Sequence, residues 1–554
     1  MRLGLLSAAA AALIVVSYGA PEVKIGKTTL IGRDVTGLKQ DFFGGIPFAE
    51  PPLGNLRLKP PVLKTTLDSK TFDASNFKEG CLQPVFNTPG TPTLSVSEDC
   101  LTINIFRPSN LPSNAKLPVL FWVYGGGFQF GASATFNGSA IVAQAVERGT
   151  PLIYVNFNYR LGPLGYPQGV EAANEHALNL ALKDTLAALE WVQANIEAFG
   201  GDKRKVTVFG ESAGAIMTSI LYLNSNLDKL ARGTILESGS QATSVDFGPE
   251  RRQGNWDNFV AGIASCSSLS GTNHTFDCVR QANSTEIFAG LLAAIGEAPE
   301  LFGFDPTIDG PGGLYPDIPS RLFARGQFAR LPFISGTNLD EGTIFVPTTI
   351  NSEDTLRDFI VANFSPPIVQ PSDLQDAVDR LFELYPDNPV LGSPFNTGNN
   401  TFRLSGEFKR AAAIQGDLVF TSQRRFWQQT AADAGIKTWG YLFTQPQPQN
   451  PDFFGVSHGS EINYVYGVPT DQSASALRVS ALMIDYWVSF ATSLNPNDGK
   501  GLERPMWEQF TPHNQRVIQL NGDNTTMIDD TFRREQMDFI NSVPATFLHR
   551  RGIF

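Results

Sequence analysis

The stretch Gly210-Glu211-Ser212-Ala213-Gly214 places one serine among small residues, directly after the apolar run VTVF. This spacing fits the G-x-S-x-G nucleophile elbow, a sharp strand-to-helix turn that exposes a strained serine hydroxyl. Glycines are needed there because a Cβ would collide with the neighbouring strand or helix. The pattern predicts a nucleophilic serine, and the amide of Ala213 is expected to face developing negative charge at the start of the next helix.

A serine nucleophile needs a base, which in nucleophile-elbow hydrolases follows the serine and the acid along the chain. The first histidine precedes Ser212, the second lies in a glycosylation sequon, and the last two lie in a turn-like segment and a basic tail. His458 remains, and the glycines at 455 and 459 allow an irregular loop that aims its ring at the serine. The histidines are His176, His274, His458, His513 and His549.

The acid of a triad is expected after another strand, between Ser212 and His458. The segment LPFISGTNLDEGTIF has a buried-strand pattern over Leu331–Ser335, followed by Asp340 and Glu341. Either carboxylate would fix the imidazole tautomer and stabilise the imidazolium. Local chemistry leaves the choice between them open.

A second source of oxyanion donors lies upstream, where a predicted strand over Leu117–Tyr124 runs into Gly125-Gly126-Gly127. Three glycines let the backbone pass close to a substrate carbonyl with its amides turned inward, as in the HGGG-type loop of esterases. A phosphate-binding loop is excluded because no Lys-Ser/Thr pair follows.

These residues must be positioned by a large fold, and 554 residues with 42% hydrophobic content and 41 phenylalanines suffice for one big core. Alternating strand-like and helix-like segments between Leu117 and Leu223 predict an α/β fold with a mostly parallel sheet and helices on both faces. No internal repeat indicates further units. The net charge of −12 argues against nucleic-acid binding.

The first residues have the pattern of a secretory signal peptide: Arg2, an apolar stretch over Leu3–Val16, then small residues that predict cleavage after Gly19 or Ala20. The apolar stretch is too short to span a bilayer, and no later stretch is long enough. Secretion agrees with six N-x-S/T sequons, of which some are expected to be empty. They lie at Asn137, Asn273, Asn283, Asn363, Asn399 and Asn524.

An even number of cysteines in an oxidising compartment indicates disulfides. The four are Cys81, Cys100, Cys266 and Cys278, and sequential pairing would close two short local loops. Zinc binding is not expected because the chain has no C-x-x-C motif and no neighbouring histidine pair.

Taken in order, these motifs resemble the type-B carboxylesterase/lipase family, which includes cholinesterases and secreted fungal lipases and esterases. The agreement runs from about residue 30 to 470 and is looser beyond. The matching segments are GGIPFAEPPLGNLRLKPP, SEDCLTINIF, VYGGGFQFG, NFNYRLGPLGY, NLALKDTLAALEWVQANIEAFGGD, VFGESAGA, LESGS, DEGT and VSHGSEINYVYG.

The resemblance implies an α/β-hydrolase fold, with a mostly parallel central sheet and long insertions, over one domain of residues 20–554 that follows a signal peptide of residues 1–19. It implies Ser212 as nucleophile, Glu341 as the triad acid and His458 as base. The implied oxyanion donors are the amides of Gly126, Gly127 and Ala213, and Glu211 and Ser238 are implied as supporting polar residues. It also implies a structural ion pair between Arg57 and Glu98 and the disulfides Cys81–Cys100 and Cys266–Cys278.

The loop between the first two cysteines departs from the secreted fungal lipases, which carry a long amphipathic lid there. Here LQPVFNTPGTPTLSVSED has only 18 residues with few large apolar groups. This length and composition predict a site open without strong activation at a lipid interface.

The leading hypothesis is therefore a secreted serine hydrolase of carboxylic esters with lipid-like or apolar acyl groups, which needs no metal or other cofactor. Its expected partners are small-molecule or lipid esters and, transiently, a lipid interface, but no nucleic acid. The alternative is a non-catalytic, cholinesterase-like adhesion or binding ectodomain. The intact triad positions and the absence of a transmembrane stalk in the sequence argue against this alternative. Lipase, sterol esterase and general carboxylesterase activity stay open, as does the oligomeric state.

Overall fold

The computed structural model describes residues 19–85, 93–223, 227–298 and 302–547. Nearly all of the predicted signal peptide lies outside these ranges and stays a prediction. The strands are β1 Glu22–Ile25, β2 Thr28–Ile31, β3 Arg33–Val35, β4 Gln40–Pro47, β5 Thr71–Asp73, β6 Gly80–Cys81, β7 Val96–Ser97, β8 Thr102–Pro108, β9 Leu117–Val123, β10 Ile153–Phe157, β11 Gly201–Glu211, β12 Gly233–Glu237, β13 Phe333–Asn338, β14 Thr438–Phe443, β15 Arg516–Leu520 and β16 Thr526–Asp529.

Helices connect the successive strands from β9 to β15, and a π-helical segment, Asp417–Thr421, joins two of these helices without a break. The α-helices are α1 Ser139–Glu147, α2 Gly162–Gly165, α3 Gly169–Asn174, α4 Leu180–Asn195, α5 Ala213–Leu221, α6 Leu227–Leu230, α7 Gln253–Ala261, α8 Phe276–Gln281, α9 Ser284–Glu297, α10 Pro319–Ala324, α11 Glu353–Asn363, α12 Pro371–Leu384, α13 Gly406–Gly416, α14 Ser422–Asp433, α15 Ile462–Val465, α16 Ala474–Ser493 and α17 Arg534–Ser542.

Eleven of the described strands form one sheet, in the order β16-β15-β14-β13-β12-β11-β9-β10-β8-β4-β3. The run from β15 to β10 is parallel throughout, and antiparallel strands extend the sheet at both ends. The mostly parallel sheet predicted from the sequence is confirmed. Because the carboxyl ends of parallel strands share one edge, the segments that follow β11, β12, β13 and β14 meet there.

The central strands are buried along almost their whole length, as expected for parallel strands covered on both faces. Helix α5, which follows the elbow, is also buried at every position. Helices α1, α4, α14 and α16 pack on the sheet as well.

Both disulfides form as expected, Cys81–Cys100 and Cys266–Cys278. Arg57 and Glu98 form a buried ion pair behind the first disulfide, with Nε and Nη2 of the arginine 2.6 and 2.8 Å from the two carboxylate oxygens. Nη1 of Arg57 also donates to the carbonyls of Val279 and Ala282, beside the second disulfide. The ion pair therefore links the two cross-linked segments.

Within the part of the chain that the structure describes, no helix has both the length and the apolar character needed to cross a membrane.

Candidate active site

Ser212 stands at the tip of a turn between β11 and α5, with φ 52° and ψ −124°. This conformation is strained for a residue with a side chain, and such strain persists only where the surroundings impose it. The Ser212 amide donates to the carbonyl of Glu237 at 2.9 Å, and its carbonyl accepts from the amide of Ile216, also at 2.9 Å. Both neighbours therefore hold the serine in the turn, as the elbow pattern predicted.

The glycines of the elbow are needed because other backbone segments lie against them. A Cβ on Gly214 would lie 1.9 Å from the carbonyl oxygen of Val123, at the end of β9. A Cβ on Gly125 would lie 2.9 Å from Cβ of Ser212 and 2.6 Å from Oε2 of Glu211. The glycine-rich loop after β9 therefore packs directly on the serine turn.

The predicted oxyanion donors are the amides of Gly126, Gly127 and Ala213. The two glycines have φ of 102° and 57°, which L side chains rarely adopt. Among the described contacts, none of the three N–H groups donates to another protein group. The amides are therefore available to an oxygen bound beside Ser212.

The structure pairs His458 with Glu341. Nδ1 of the imidazole lies 2.6 Å from Oε2 of the carboxylate, and both side chains are almost fully buried. The other oxygen of Glu341 accepts from the Ser238 hydroxyl at 2.5 Å and from the Asn338 amide at 2.7 Å. Ser238 thus donates to the carboxylate that faces the imidazole, and the supporting role implied for it stays a prediction.

Asp340, the other candidate acid, points elsewhere. Its Oδ1 accepts from the Ser393 hydroxyl and the Phe395 amide, both at 2.8 Å, and its Oδ2 accepts from the Val456 amide at 2.9 Å. These bonds join the segment after β13 to residues 393–395 and to the loop that carries His458. The geometry gives Asp340 a part in holding loops and Glu341 the contact with the imidazole.

The second imidazole nitrogen faces the nucleophile turn. Nε2 of His458 lies 3.2 Å from Oε1 of Glu211, the residue before Ser212. Nε2 makes no hydrogen bond with any of the described residues, so the structure shows no bond from it to the Ser212 hydroxyl. Burial disfavours the imidazolium, but the charges of Glu211 and Glu341 outweigh this and raise the pKa of His458 above its ordinary value.

The histidines rejected from the sequence lie away from this cluster. His176, His274 and His513 are exposed, and His549 lies outside the described residues. The two glycines beside His458 have positive φ, 58° at Gly455 and 77° at Gly459. The irregular loop that they were predicted to allow is present.

Two further buried carboxylates, missed from the sequence, complete the site. Glu237 is the last residue of β12 and the register partner of Glu211 on β11, and its Oε1 accepts from Nε1 of Trp487 at 2.7 Å. Glu461 accepts from Nδ2 of Asn338 at 2.5 Å. The motifs LESGS and SHGSE contain both residues, but only strand register places Glu237 opposite Glu211, and only the fold buries Glu461 close enough to act on the imidazole.

Aromatic rings enclose the imidazole on its remaining sides. The ring centroids of Phe420 and Phe345 lie 4.6 and 5.0 Å from that of His458. Phe420 belongs to the π-helical segment, and π-helical turns are frequent at functional sites. The ring of Phe302 packs on the glycine-rich loop, since a Cβ on Gly127 would lie 2.0 Å from its Cε1.

Phe302 follows α9 in the chain. Leu291 and Ala294 are buried in α9, which packs against α7, whereas Phe302 contacts the glycine-rich loop.

The predicted short lid loop lies partly outside the described residues, so its openness stays a prediction. Its base is closed by pairing of β6 with β7. Inside it, the side-chain amide of Gln83 exchanges two hydrogen bonds of 2.8 Å with the backbone of Gly131. This loop is therefore anchored close to the glycine-rich loop.

The sequons differ in exposure. Asn363 is half-buried at the end of α11 and donates to the carbonyl of Phe359 at 2.7 Å. The exposed sequon asparagines are Asn137, Asn273, Asn283, Asn399 and Asn524. Their glycosylation stays a prediction.

Comparison with known proteins agrees with this geometry. The sequence profile described as the Carboxylesterase family matches residues 19–540. The chain belongs to the carboxylesterase family. Lipase 1 of Geotrichum candidum is 34% identical over 569 residues, which cover 95% of this chain and 96% of the relative. Secreted lipase 1 of Botryotinia fuckeliana is also 34% identical, over 94% of this chain and 92% of the relative.

The carboxylesterase also resembles a solved structure, the crystal structure of Aspergillus niger EstA. The TM-score is 0.80 at 25% identity, over 95% of this chain and 99% of the other. The predicted α/β-hydrolase fold is therefore confirmed, and the protein is a carboxylic ester hydrolase.

Proposed function

We propose that this carboxylesterase cleaves its esters by a Ser212–Glu341–His458 triad, through an acyl-enzyme. The observation that carries the proposal is the 2.6 Å contact between His458 Nδ1 and Glu341, with Nε2 turned towards the strained elbow. Glu341 fixes the tautomer with hydrogen on Nδ1, because a carboxylate that faces Nδ1 accepts that hydrogen. Nε2 is then the basic nitrogen.

The reaction follows from this tautomer. His458 Nε2 takes the Ser212 proton as Oγ attacks the ester carbonyl, and the imidazolium that forms is stabilised by Glu341. The imidazolium then protonates the leaving alcohol, which leaves an acyl group on Ser212. Water, deprotonated by Nε2, releases the acid by the same steps in reverse order.

The charge that develops on the carbonyl oxygen is held by the amides of Gly126, Gly127 and Ala213. The positive φ values of the two glycines fix these donors before the substrate arrives, so little reorganisation is required in the transition state. The N-terminus of α5 adds its dipole at Ala213.

We propose apolar acyl esters as substrates, because phenylalanines surround the imidazole and contact the glycine-rich loop, and because the relatives above are named lipases. The test is hydrolysis of p-nitrophenyl esters from acetate to palmitate, with triolein and a steryl ester. The rate of tributyrin hydrolysis, measured as its concentration passes the solubility limit, tests whether the short loop leaves the site open. A steep rise in rate at that limit would show that some segment covers the site, and a peak at acetate would contradict the apolar preference.

Phe302→Ala is expected to shift acyl preference towards bulkier groups, because the ring packs against Gly127 beside the oxyanion donors. The ratio of kcat/KM for a branched or long acyl ester to that for acetate should rise about tenfold, the value of one or two methylenes in a pocket. Phe288→Ala, a half-buried ring on α9, serves as the control. An unchanged ratio in Phe302→Ala would show that Phe302 does not contact the acyl group.

Activity is expected to fall on the acidic side as His458 gains a proton, because only the neutral imidazole accepts one from Ser212. Since the pKa of His458 is raised, the fall should be centred above about 6.5, the ordinary pKa of a histidine side chain. The check is kcat/KM from about pH 4 to 9 with an uncharged ester. A midpoint well below the pKa of free histidine would show that the carboxylates around the ring do not raise the pKa of His458.

We propose that the enzyme is secreted. Support comes from the signal-like pattern of residues 1–19, the two disulfides and the relatives named as secreted lipases. Edman sequencing of protein from culture medium should begin at Ala20 or Pro21. Retention inside cells with Met1 intact would contradict this.

A non-catalytic binding ectodomain is the second candidate. The elbow geometry and the Glu341–His458 pair oppose it, since a binding role requires neither.

A further inference from the structure

Four glutamates at the carboxyl edge of the sheet form one buried cluster, in which Glu211 and Glu341 contact His458 and Glu237 lies opposite Glu211. Glu211, Glu237, Glu341 and Glu461 are each no more than 4% exposed. In the described part of the chain, the ion pairs of these carboxylates all go to His458, and no lysine or arginine reaches them.

A cluster of this composition does not stay fully ionised. Four negative charges would face the single positive charge that His458 can carry, in a region from which water is excluded. Like charges in a low dielectric repel strongly, and a buried anion without a partner is costly. At least one of the glutamates must therefore hold a proton.

The four glutamates differ in the polar groups that contact their carboxylates. Glu341 accepts from Ser238, Asn338 and His458. Glu461 accepts from the side chain of Asn338, and Glu211 lies 3.2 Å from the imidazole.

Glu237 has the weakest support for a negative charge. It accepts one hydrogen bond, from Trp487 to Oε1, and its Oε2 has no partner among the described residues. An anion there would have one neutral donor and no contact with the imidazole, whereas Glu211 and Glu341 both face His458.

We infer that Glu237 is a neutral carboxylic acid in the working enzyme, and that it acts as a positioning residue for the charge on His458. The inference rests on the proposed function, in which His458 is the base. With Glu237 neutral, the cluster has one fewer negative charge to stabilise the imidazolium. The pKa of His458 is therefore lower than it would be with a fourth anion, and the imidazole stays neutral down to a lower pH.

The groups that face Glu237 agree with this assignment. They are Glu211 from β11, Tyr441 from β14, Tyr466, Glu461 and, through the nitrogen of Trp487, α16. Burial, then the charges of Glu461 and Glu211, raises the pKa of Glu237 well above its ordinary range. The hydroxyl of Tyr441 is buried without a hydrogen bond in the described structure.

The test compares Glu237→Gln with Glu211→Gln. Glutamine reproduces a neutral acid in shape and accepts the same bond from Trp487, so the acidic midpoint of kcat/KM in Glu237→Gln should match that of the wild type, whatever the variant does to the rate itself. Glu211→Gln removes a charge beside Nε2 and should lower that midpoint by about one pH unit or more, whatever it does to the rate. A midpoint lowered equally by Glu237→Gln would overturn the inference.

Infrared difference spectra test the protonation state of Glu237 without a measurement of enzyme activity. Wild type minus Glu237→Gln near neutral pH should show the carbonyl stretch of a protonated carboxyl, and its absence would overturn the inference. If Glu237→Gln does not fold, wild type with ¹³C-labelled glutamate still tests the inference, because the absence of any band from a protonated glutamate near neutral pH would overturn it. Failure of the triad itself would appear as retained activity in Ser212→Ala and would leave this band in place.

Discussion

Ser212→Ala is expected to lower kcat for every ester by about 10⁴- to 10⁶-fold, because the members of a triad act as a unit and little remains once the nucleophile is removed. Folding should be preserved. Alanine is isosteric with serine apart from the hydroxyl, and the backbone bonds of this residue to Glu237 and Ile216 do not involve its side chain. The measurement is steady-state turnover, with circular dichroism to confirm the fold.

A matched control is available on the next helix. Ser219 is fully buried in α5 and its hydroxyl has no partner in the described structure, so Ser219→Ala removes a hydroxyl without breaking a hydrogen bond. This variant should keep its activity. A fluorophosphonate probe should label the wild type and Ser219→Ala at Ser212 and should not label Ser212→Ala. Turnover or labelling that survives in Ser212→Ala would identify another nucleophile.

Features with a local cause could be predicted. The elbow and the glycine-rich loop are contiguous motifs, and the strand predicted over Leu117–Tyr124 agrees with β9 to within one residue. The strand predicted over Leu331–Ser335 is shifted, because β13 starts after Pro332 and runs to Asn338. Proline cannot donate to a strand ladder, and the polar end of β13 is buried only because its neighbours in the sheet cover it.

Features that depend on contacts distant in sequence could not be predicted. The π-helical segment gives no local signal that Phe420 will pack on His458. Glu237 is a strand residue like many others until the register of β11 and β12 sets it opposite Glu211. The burial of α5 on all sides likewise follows from how the sheet is covered. Residue patterns therefore identify candidate reactive groups, and the tertiary fold determines the charges around them.

The choice between Asp340 and Glu341, left open by local chemistry, leads to the second large expected effect. Glu341→Gln should lower kcat by about 10³- to 10⁴-fold, as expected when the tautomer-fixing acid of a triad is neutralised. The amide oxygen would take over the bonds from Ser238 and Asn338, so the NH₂ group would face Nδ1 of His458. The imidazole would then carry its hydrogen on Nε2 and could not accept the proton of Ser212.

Asp340→Asn should lower the stability of the fold more than it lowers turnover. All three hydrogen bonds of Asp340 are accepted ones, so an amide NH₂ at either position would face at least one donor. The loss should be about 1–3 kcal/mol of stability, with the folded protein still active. Turnover per folded site, counted by fluorophosphonate titration, separates this from lost chemistry, and thermal unfolding reports the stability. If Asp340→Asn lowered turnover per site more than Glu341→Gln, the acid would be Asp340, and the 2.6 Å contact of Glu341 with His458 would have a structural role only.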